Sequence, residues 1–338
     1  MPPTIKDVAR LSGCSIKTVS RVINNEPHVT GKTRARVQAA IQATGYIPNQ
    51  AARHLVQKRS FAVCILIYPG YSQPASAPLS RLLELAYEEN YDLLFQNYYP
   101  AFPKSHRILA DLASGRRFDG FVSTPPCDAD GLVPDLLTTY KVPLVMINPF
   151  DRGGDYPFIS GDDELGARLA MNHLLGLGHR WIACFRGPRN LRSSFDRLAG
   201  YQSALTAADL PFDPALVQDT EFTFDGGYTA TRLLFSLKQP PSAIYAANDE
   251  AALGALFAAQ ELGLTLPGQL SICGHDDLAI SSHVWPALTT IHQPVEDMLE
   301  QAVRLLIDLL KGGSISGRQV VLQPRLIIRG STTTVSGG

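Results

Sequence analysis

Acidic residues are nearly missing from the first sixty positions of this 338-residue chain. Asp7 and Glu26 stand against ten cations (Lys6, Arg10, Lys17, Arg21, Lys32, Arg34, Arg36, Arg53, Lys58 and Arg59), a net charge of +8. The whole chain carries −1, so residues 61–338 carry −9. A small cationic head on a mildly acidic body is the charge distribution of a head that meets phosphate while the body does something else. Cysteine is sparse too. Cys14, Cys64, Cys127, Cys184 and Cys273 are scattered without CxxC or metal-ligand spacing, which argues against a disulfide framework and a metal site and for a reduced compartment. No run of about eighteen apolar residues exists, so no membrane-spanning helix is expected. MPPTIKDVAR lacks the apolar stretch of a secretory signal, so a cytoplasmic, nucleoid-associated protein is expected. GxSxG, HExxH and phosphate-loop patterns are also missing, and the adjacent Asp276 and Asp277 do not form a separated catalytic pair. Enzymatic activity and a cofactor are therefore not expected.

What is present begins with three short helices. TIKDVARL puts Ile5, Val8 and Ala9 on one face behind Thr4 as N-cap, and Ser12-Gly13-Cys14 breaks the helix. Ser15 caps a second helix over 15–24, with Val19, Val22 and Ile23 inward and Ile16, Lys17, Ser20 and Arg21 outward. A third helix follows Thr30 and runs to about Thr44, closing a core with Val37, Ala40 and Ile41. Two helices joined by a Gly-containing turn, the second bearing Lys and Arg one turn apart, predict a helix-turn-helix whose second helix enters a major groove.

The run from TIKDVARLSGCSIKTVSRVINN to GYIPNQAARHL resembles the DNA-binding head and hinge of the LacI/GalR (lac-repressor) family. The resemblance implies that Ile16 and Lys17 occupy the two variable base-reading positions and Arg21 a third. It places Thr18, Ser20, Asn24 and His28 on phosphate or sugar, with Thr4, Ser15, Asn49 and Ala52 also on the DNA side. Phosphate contacts orient a reader and base-edge contacts specify it. Lys17 and Arg21 each suit guanine O6/N7, whereas Ile16 offers only apolar contact. NQAARHLVQ is too short for a stable isolated helix, so the resemblance implies a hinge that orders on the operator, two copies together. Leu55 then either wedges a minor-groove base step or packs beneath the linker.

From Phe61 onward, strand-like runs alternate with helical ones. The strands are FAVCILIY, YDLLFQN, FDGFVST, VPLVMIN, FISGD, WIACFRG, SAIYAAN, LSICGHDD and VVLQPRLIIR. Helical stretches lie near 78–89, 104–114, 130–139, 163–177, 194–209, 226–237, 249–262 and 294–311. This alternation predicts parallel sheets covered on both faces, with ligands at the C-terminal strand ends. The family resemblance continues more loosely through ISGDDELGARLAMNHLLGLGHRWIA, AANDEAALGAL and LTTIHQP, and it implies a body like a periplasmic sugar-binding protein. The expected fold class is therefore α plus α/β: a three-helix helix-turn-helix head (1–46), a hinge (47–60), and a two-lobed body of parallel sheets (61–330). Crossovers are expected near 150–162 and 285–294, and a flexible tail over 331–338.

The resemblance places an effector between the lobes. Arg197 matches a position that grips hydroxyls or a carboxylate, unless it merely pairs with Asp196 or Asp225. Asn148 faces it from the N-terminal side, while Asn248 and Asp276 close strands on the C-terminal side. One of Asp276 and Asp277 faces the cleft. Phe224 either stacks on the effector or belongs to the core, and Trp285 either lines the cleft or packs the crossover. Tyr71 lies in PGYSQPASAP, which departs from the family pattern. His173 and His179 are expected to be structural.

The function this implies is a dimeric, DNA-binding transcriptional regulator, expected to repress. Its partners would be near-palindromic operator DNA, a second copy of itself, and a small effector, a sugar or sugar derivative. GSTTTVSGG carries no leucine heptads, so a dimer rather than a tetramer is expected. A purine corepressor is the alternative within the class. A sugar-active enzyme or a plain sugar-binding protein would leave the cationic head unexplained.

Overall fold

In the computed structural model, residues 3–23, 28–46, 59–69, 76–314 and 318–335 are described below. Of the candidate site residues, Asn24, Asn49, Ala52, Leu55 and Tyr71 lie outside them. The chain divides into two compact units, Met1–Ser60 and Phe61–Gly338.

The first unit contains α1 (Ile5–Ser12), α2 (Ile16–Ile23) and α3 (Gly31–Thr44). Thr4 is the N-cap of α1, and the Asp7 carboxylate accepts from both its backbone N–H (3.0 Å) and its hydroxyl (2.8 Å). Gly13 ends α1 at φ +58, a left-handed conformation that glycine adopts without Cβ strain. Ser15 Oγ then accepts the Thr18 N–H at 3.1 Å, satisfying one of the donors left open at the start of α2. Val8, Ala9, Val19, Val22, Val37 and Ala40 form the core, with Ile5, Ile23 and Ile41 against its edge.

The second unit is two parallel α/β layers. One sheet has the order β11-β5-β4-β3-β1-β2, built from β1 (Ala62–Ile67), β2 (Asp92–Asn97), β3 (Gly120–Ser123), β4 (Leu144–Ile147), β5 (Phe158–Gly161) and β11 (Gln319–Leu322). The other has the order β7-β6-β8-β9, from β6 (Ile182–Arg186), β7 (Val217–Asp219), β8 (Ala243–Ala246) and β9 (Ser271–Cys273). Period-two alternation explains how an unbroken apolar strand serves two cores. Val63 and Ile65 of β1 face α4 (Ser76–Glu88) and α11 (Val295–Leu310), while Cys64 and Leu66 face α5 (Pro103–Ser114) and α6 (Leu132–Thr139). In the second lobe, α9 (Phe224–Leu234) and α10 (Asp249–Glu261) cover one face, and α7 (Asp163–Gly176) and α8 (Arg192–Ala207) the other. Cys64, Cys127, Cys184 and Cys273 are buried, and burial pushes the Cys64 and Cys184 thiols up to about 12, so they are packing residues.

The chain passes between lobes three times. It leaves β5 for α7 at Asp162–Asp163, returns from β10 (Thr290–His292) to α11 at Gln293–Pro294, and crosses again from β11 to β12 (Arg325–Ile327). The single strand expected over VVLQPRLIIR is thus two. β11 joins the first lobe's sheet, and β12 pairs antiparallel with β10. Pro324 lies at the break, where a residue with no N–H interrupts no ladder. β7 and β10, three residues each, carry too little periodicity to be legible.

The expected flexible tail needs correcting for residues 331–335. The Ile272 N–H donates to Ser331 O, the Thr333 N–H to Ser271 Oγ, and the Val335 N–H to Leu177 O. Ser331 Oγ accepts from the Thr289 N–H at 2.8 Å and donates to Ile272 O. The tail runs beside β9 and satisfies backbone groups there, so its Ser/Thr composition is adhesive rather than loose. His179 joins it, with Nδ1 2.9 Å from Ser242 Oγ and Nε2 3.1 Å from Thr333 O. Both ring nitrogens are used structurally.

Candidate nucleic-acid face and effector cleft

On the head, the residues left after core formation define the candidate reading face. The periodicity that buries Val19 and Val22 leaves Ile16 and Lys17 exposed on the first turn of α2, with Thr18, Ser20 and Arg21 half-buried. Ser15 is occupied as the cap of α2, and Thr4 is engaged with Asp7. His28 is exposed ahead of α3. Ile16 and Lys17 can therefore reach a groove without unpacking the core. Arg10 is tied back to Asp7, whereas Lys6 and Lys32 are exposed cations.

In the body, a cavity of about 490 Å³ opens between the lobes. Among its lining residues is Arg197, on the second turn of α8 and 6% exposed. Nε donates to Asp163 Oδ1 at 2.8 Å, Nη1 donates to Ala247 O, and Nη2 lies 3.0 Å from Asp276 Oδ1. The guanidinium stands 5.6 Å above the centre of the Phe222 ring. Burial disfavours the charged guanidinium, and Asp276 and Asp163 together outweigh that, holding its pKa above the ordinary value. Neither Asp196 nor Asp225 is its partner. Asp196 pairs with Arg192 (2.7 Å) and with Arg152 from the other lobe (3.1 Å).

Asp276 and Asp277 diverge because both backbones have positive φ. Asp276 lines the cavity, and burial pushes its carboxyl up to about 6 against the pull of Arg197. Asp277 accepts from Arg329 Nη2 at 2.6 Å, with His292 Nδ1 at 3.0 Å. Asn148 lines the cavity from the first lobe, its Oδ1 accepting the Gly161 N–H at 2.9 Å. Asn248 also lines it, but its side chain is committed. Oδ1 caps α10 by accepting the Ala251 N–H (3.0 Å), and Nδ2 donates to Phe222 O (2.9 Å). Asn248 therefore holds Phe222 in place.

A buried chain runs beneath this site. Gln293, at the second crossing, donates from Nε2 to Asp163 Oδ1 at 2.7 Å, with His275 Nε2 2.8 Å away. His275 Nδ1 lies 2.9 Å from Tyr245 Oη. Burial and then Arg197 hold His275 well below its usual pKa, keeping it neutral. The guanidinium that faces the cavity is thereby connected to both Asp163 and Gln293, residues at two of the three crossings.

Residues 4–49 match the family described as bacterial regulatory proteins, lacI family, and residues 171–332 match a periplasmic binding protein-like domain. The ribose operon repressor of Escherichia coli (strain K12) is 33% identical over 332 residues, 97% of this chain and 99% of the relative. The chain belongs to the lacI family. Among solved structures, a lac repressor dimer bound to operator and the anti-inducer ONPF is similar at TM-score 0.82 and 29% identity, covering 98% of this chain and all of that one. A transcriptional regulator CelR–cellobiose complex is similar at TM-score 0.74 and 29% identity, covering 97% and 99%. This lacI-family protein is a DNA-binding transcriptional regulator and not an enzyme.

Two candidate effector residues stand elsewhere. Phe224 opens α9 with its ring 5.8 Å from Phe257 and is 41% exposed, outside the cavity lining. Phe222 takes the place expected of it, because Thr223 is the helix cap and the residue before the cap turns inward. Trp285 is 87% exposed, so it neither lines the cleft nor packs the crossover; its carbonyl accepts from Gln260. Sequence reasoning missed Asp163, Phe222, Glu221, Glu250 and Gln293. Asp163 and Glu250 were accessible to the strand-end rule, since each follows a strand by two to four residues. The apolar lining from Leu79, Leu82, Met298 and Leu299 had no such signal.

Proposed function

We propose that this regulator is a cytoplasmic, nucleoid-associated homodimeric repressor that binds a near-palindromic operator and whose affinity is set by a sugar or sugar derivative in the cleft. The observation that carries the effector reading is Arg197: a nearly buried guanidinium, fixed by two carboxylates, at the edge of a cavity between two lobes. Such a fork binds two adjacent oxygens, and Asp276 and Asn148 beside it complement pairs of hydroxyls. Relatives named for ribose and cellobiose support a carbohydrate. On the head, Ile16, Lys17 and Arg21 are assigned to base edges. Thr4, Ser15, Thr18, Ser20, Asn24 and His28 are assigned to backbone, and Asn49, Ala52 and Leu55 to the hinge contact at the operator centre.

Dimerisation is supported by apolar side chains that a lone body leaves in water. Leu83 and Tyr87 of α4 and Leu94 of β2 are exposed on the first lobe, and Phe224, Phe257 and Ile280 on the second. An effector that closes the lobes shifts operator affinity by its differential binding to the two states. The test is a thermal-shift screen of mono- and disaccharides with purines as controls, followed by operator titration with and without the hit. A sugar that raises Tm and changes operator affinity supports the reading. A purine-only response would replace the sugar with a purine corepressor.

A further inference from the structure

The first residue of the body is bent against its own strand. Phe61 sits at φ +50, a left-handed conformation that a bulky side chain occupies at a cost in free energy. β1 is flanked by β2 on one side and β3 on the other. In a regular strand the N–H and C=O of one residue point to the same neighbour. At Phe61 they part. Its carbonyl accepts the Asp92 N–H at the start of β2 (2.8 Å), as a continuing strand would. Its N–H swings to the other side and donates to Asp119 Oδ2 (3.1 Å), just ahead of β3.

Asp119 holds the next residue too, its own N–H donating to Ala62 O at 2.8 Å. The side chain of Asp119 thus grips Phe61 while its main chain grips Ala62. Strain of this kind persists only where the surroundings over-determine it, and it concentrates where function needs a fixed geometry. A linker with no defined direction would need no such device. An extended residue would satisfy the same carbonyl without the cost.

The ring is fixed as well. Its centroid lies 5.9 Å from that of the buried Tyr91, and it packs against the core cluster that includes Leu82, Leu85 and Ala86 of α4. Tyr91 in turn donates its N–H to Ala86 O at 2.8 Å, at the end of that helix. Leu83 and Tyr87 are exposed on α4. Phe61 is therefore joined, through Tyr91, to the helix whose exposed side is assigned above to the second copy.

We propose that Phe61 and Asp119 are positioning residues for operator binding. They fix the place and direction at which the chain enters the body, so that two copies offer residues 47–58 to one operator in register. This rests on the homodimeric hinge reading above and names the residues on the body side that serve it. Neither side chain is assigned a contact with DNA.

The test uses full-length protein and the duplex it recovers in binding-site selection, with a scrambled duplex as control, titrated by fluorescence anisotropy at fixed salt. Asp119→Ala removes the acceptor and is expected to weaken binding of the selected duplex about tenfold or more. Binding of the scrambled duplex, and the dimer in analytical ultracentrifugation, should not change. Asp119→Asn keeps an acceptor oxygen and should stay within about threefold of the unaltered protein. Phe61→Val and Phe61→Leu repeat the test without removing a polar group. The β-branched side chain resists positive φ and should lose about tenfold, and leucine less than about threefold. If Asp119→Ala does not fold, this pair decides alone. Equal losses on both duplexes, or full specific affinity in Asp119→Ala and Phe61→Val, overturn the inference. The hinge reading fails separately, if Leu55→Ala leaves affinity for the selected duplex unchanged. If no duplex is selected, the operator reading and this inference fall together.

Discussion

Arg197 earns its position through what lies behind it. Asp163 is fully buried and Asp276 mostly so, and both lose their counter-charge if the guanidinium is removed. Arg197→Ala is therefore expected to cost about 3–5 kcal/mol in folding stability, since an unpaired buried charge remains, and to abolish the effector response in an operator-release assay. Retained induction would place the effector elsewhere. Asp249 makes a second residue-scale case. It is buried, accepts from the Leu278 N–H and the Thr290 hydroxyl, and is pushed up to about 8 by burial and then by Asp276. A carboxyl whose folded pKa lies above its unfolded value of about 4 adds stability that is fully present below about pH 4 and lost as pH rises towards 8. Asp249→Asn is expected to flatten the dependence of Tm on pH between about 4 and 8. An unchanged slope would assign that dependence to other groups.

At the scale of elements, α2 shows how one helix divides its faces. Val19 and Val22 close the head's core, while Ile16 and Lys17 remain exposed on its first turn. Ser15→Ala should destabilise the head by about 1 kcal/mol through loss of the cap to Thr18, lowering Tm with little change in operator sequence preference. Lys17→Ala should do the reverse, altering base preference at one operator position in a binding-site selection. A uniform loss across sequences would make Lys17 a phosphate contact. The α-helices of the body were legible because each has a long apolar stripe and clear ends. The short strands β7 and β10 were not, because three residues cannot establish a period.

At the scale of the whole molecule, the second lobe's exposed aromatics matter most. Phe224, left open from sequence between effector contact and core, is exposed and packs its ring at a tilt against Phe257, and Tyr228 packs against the same ring. Phe257→Asp is expected to weaken the homodimer by at least about tenfold in analytical ultracentrifugation, because a charge would be buried in an apolar contact, and to reduce operator affinity with it. A dimer unaffected by this change would exclude the surface from the interface.

Family, fold class, head helices and nearly all strands were readable from residues alone, since each depends on local periodicity, capping and an extended motif. Asn148 and Asp276 were readable as polar residues just past strand ends, and Arg197 only through the family motif, since it sits on a helix. Their partnerships were not. That Asp163 and Gln293 meet beneath Arg197, 130 positions apart in sequence, follows from three crossings that return the chain to one hinge region. The inward turn of Phe222 rather than Phe224, and the anchoring of residues 331–335 beside β9, likewise depend on backbone geometry that no local pattern encodes. Periodicity determines which face of an element is apolar, but only tertiary packing decides which distant groups that face brings together.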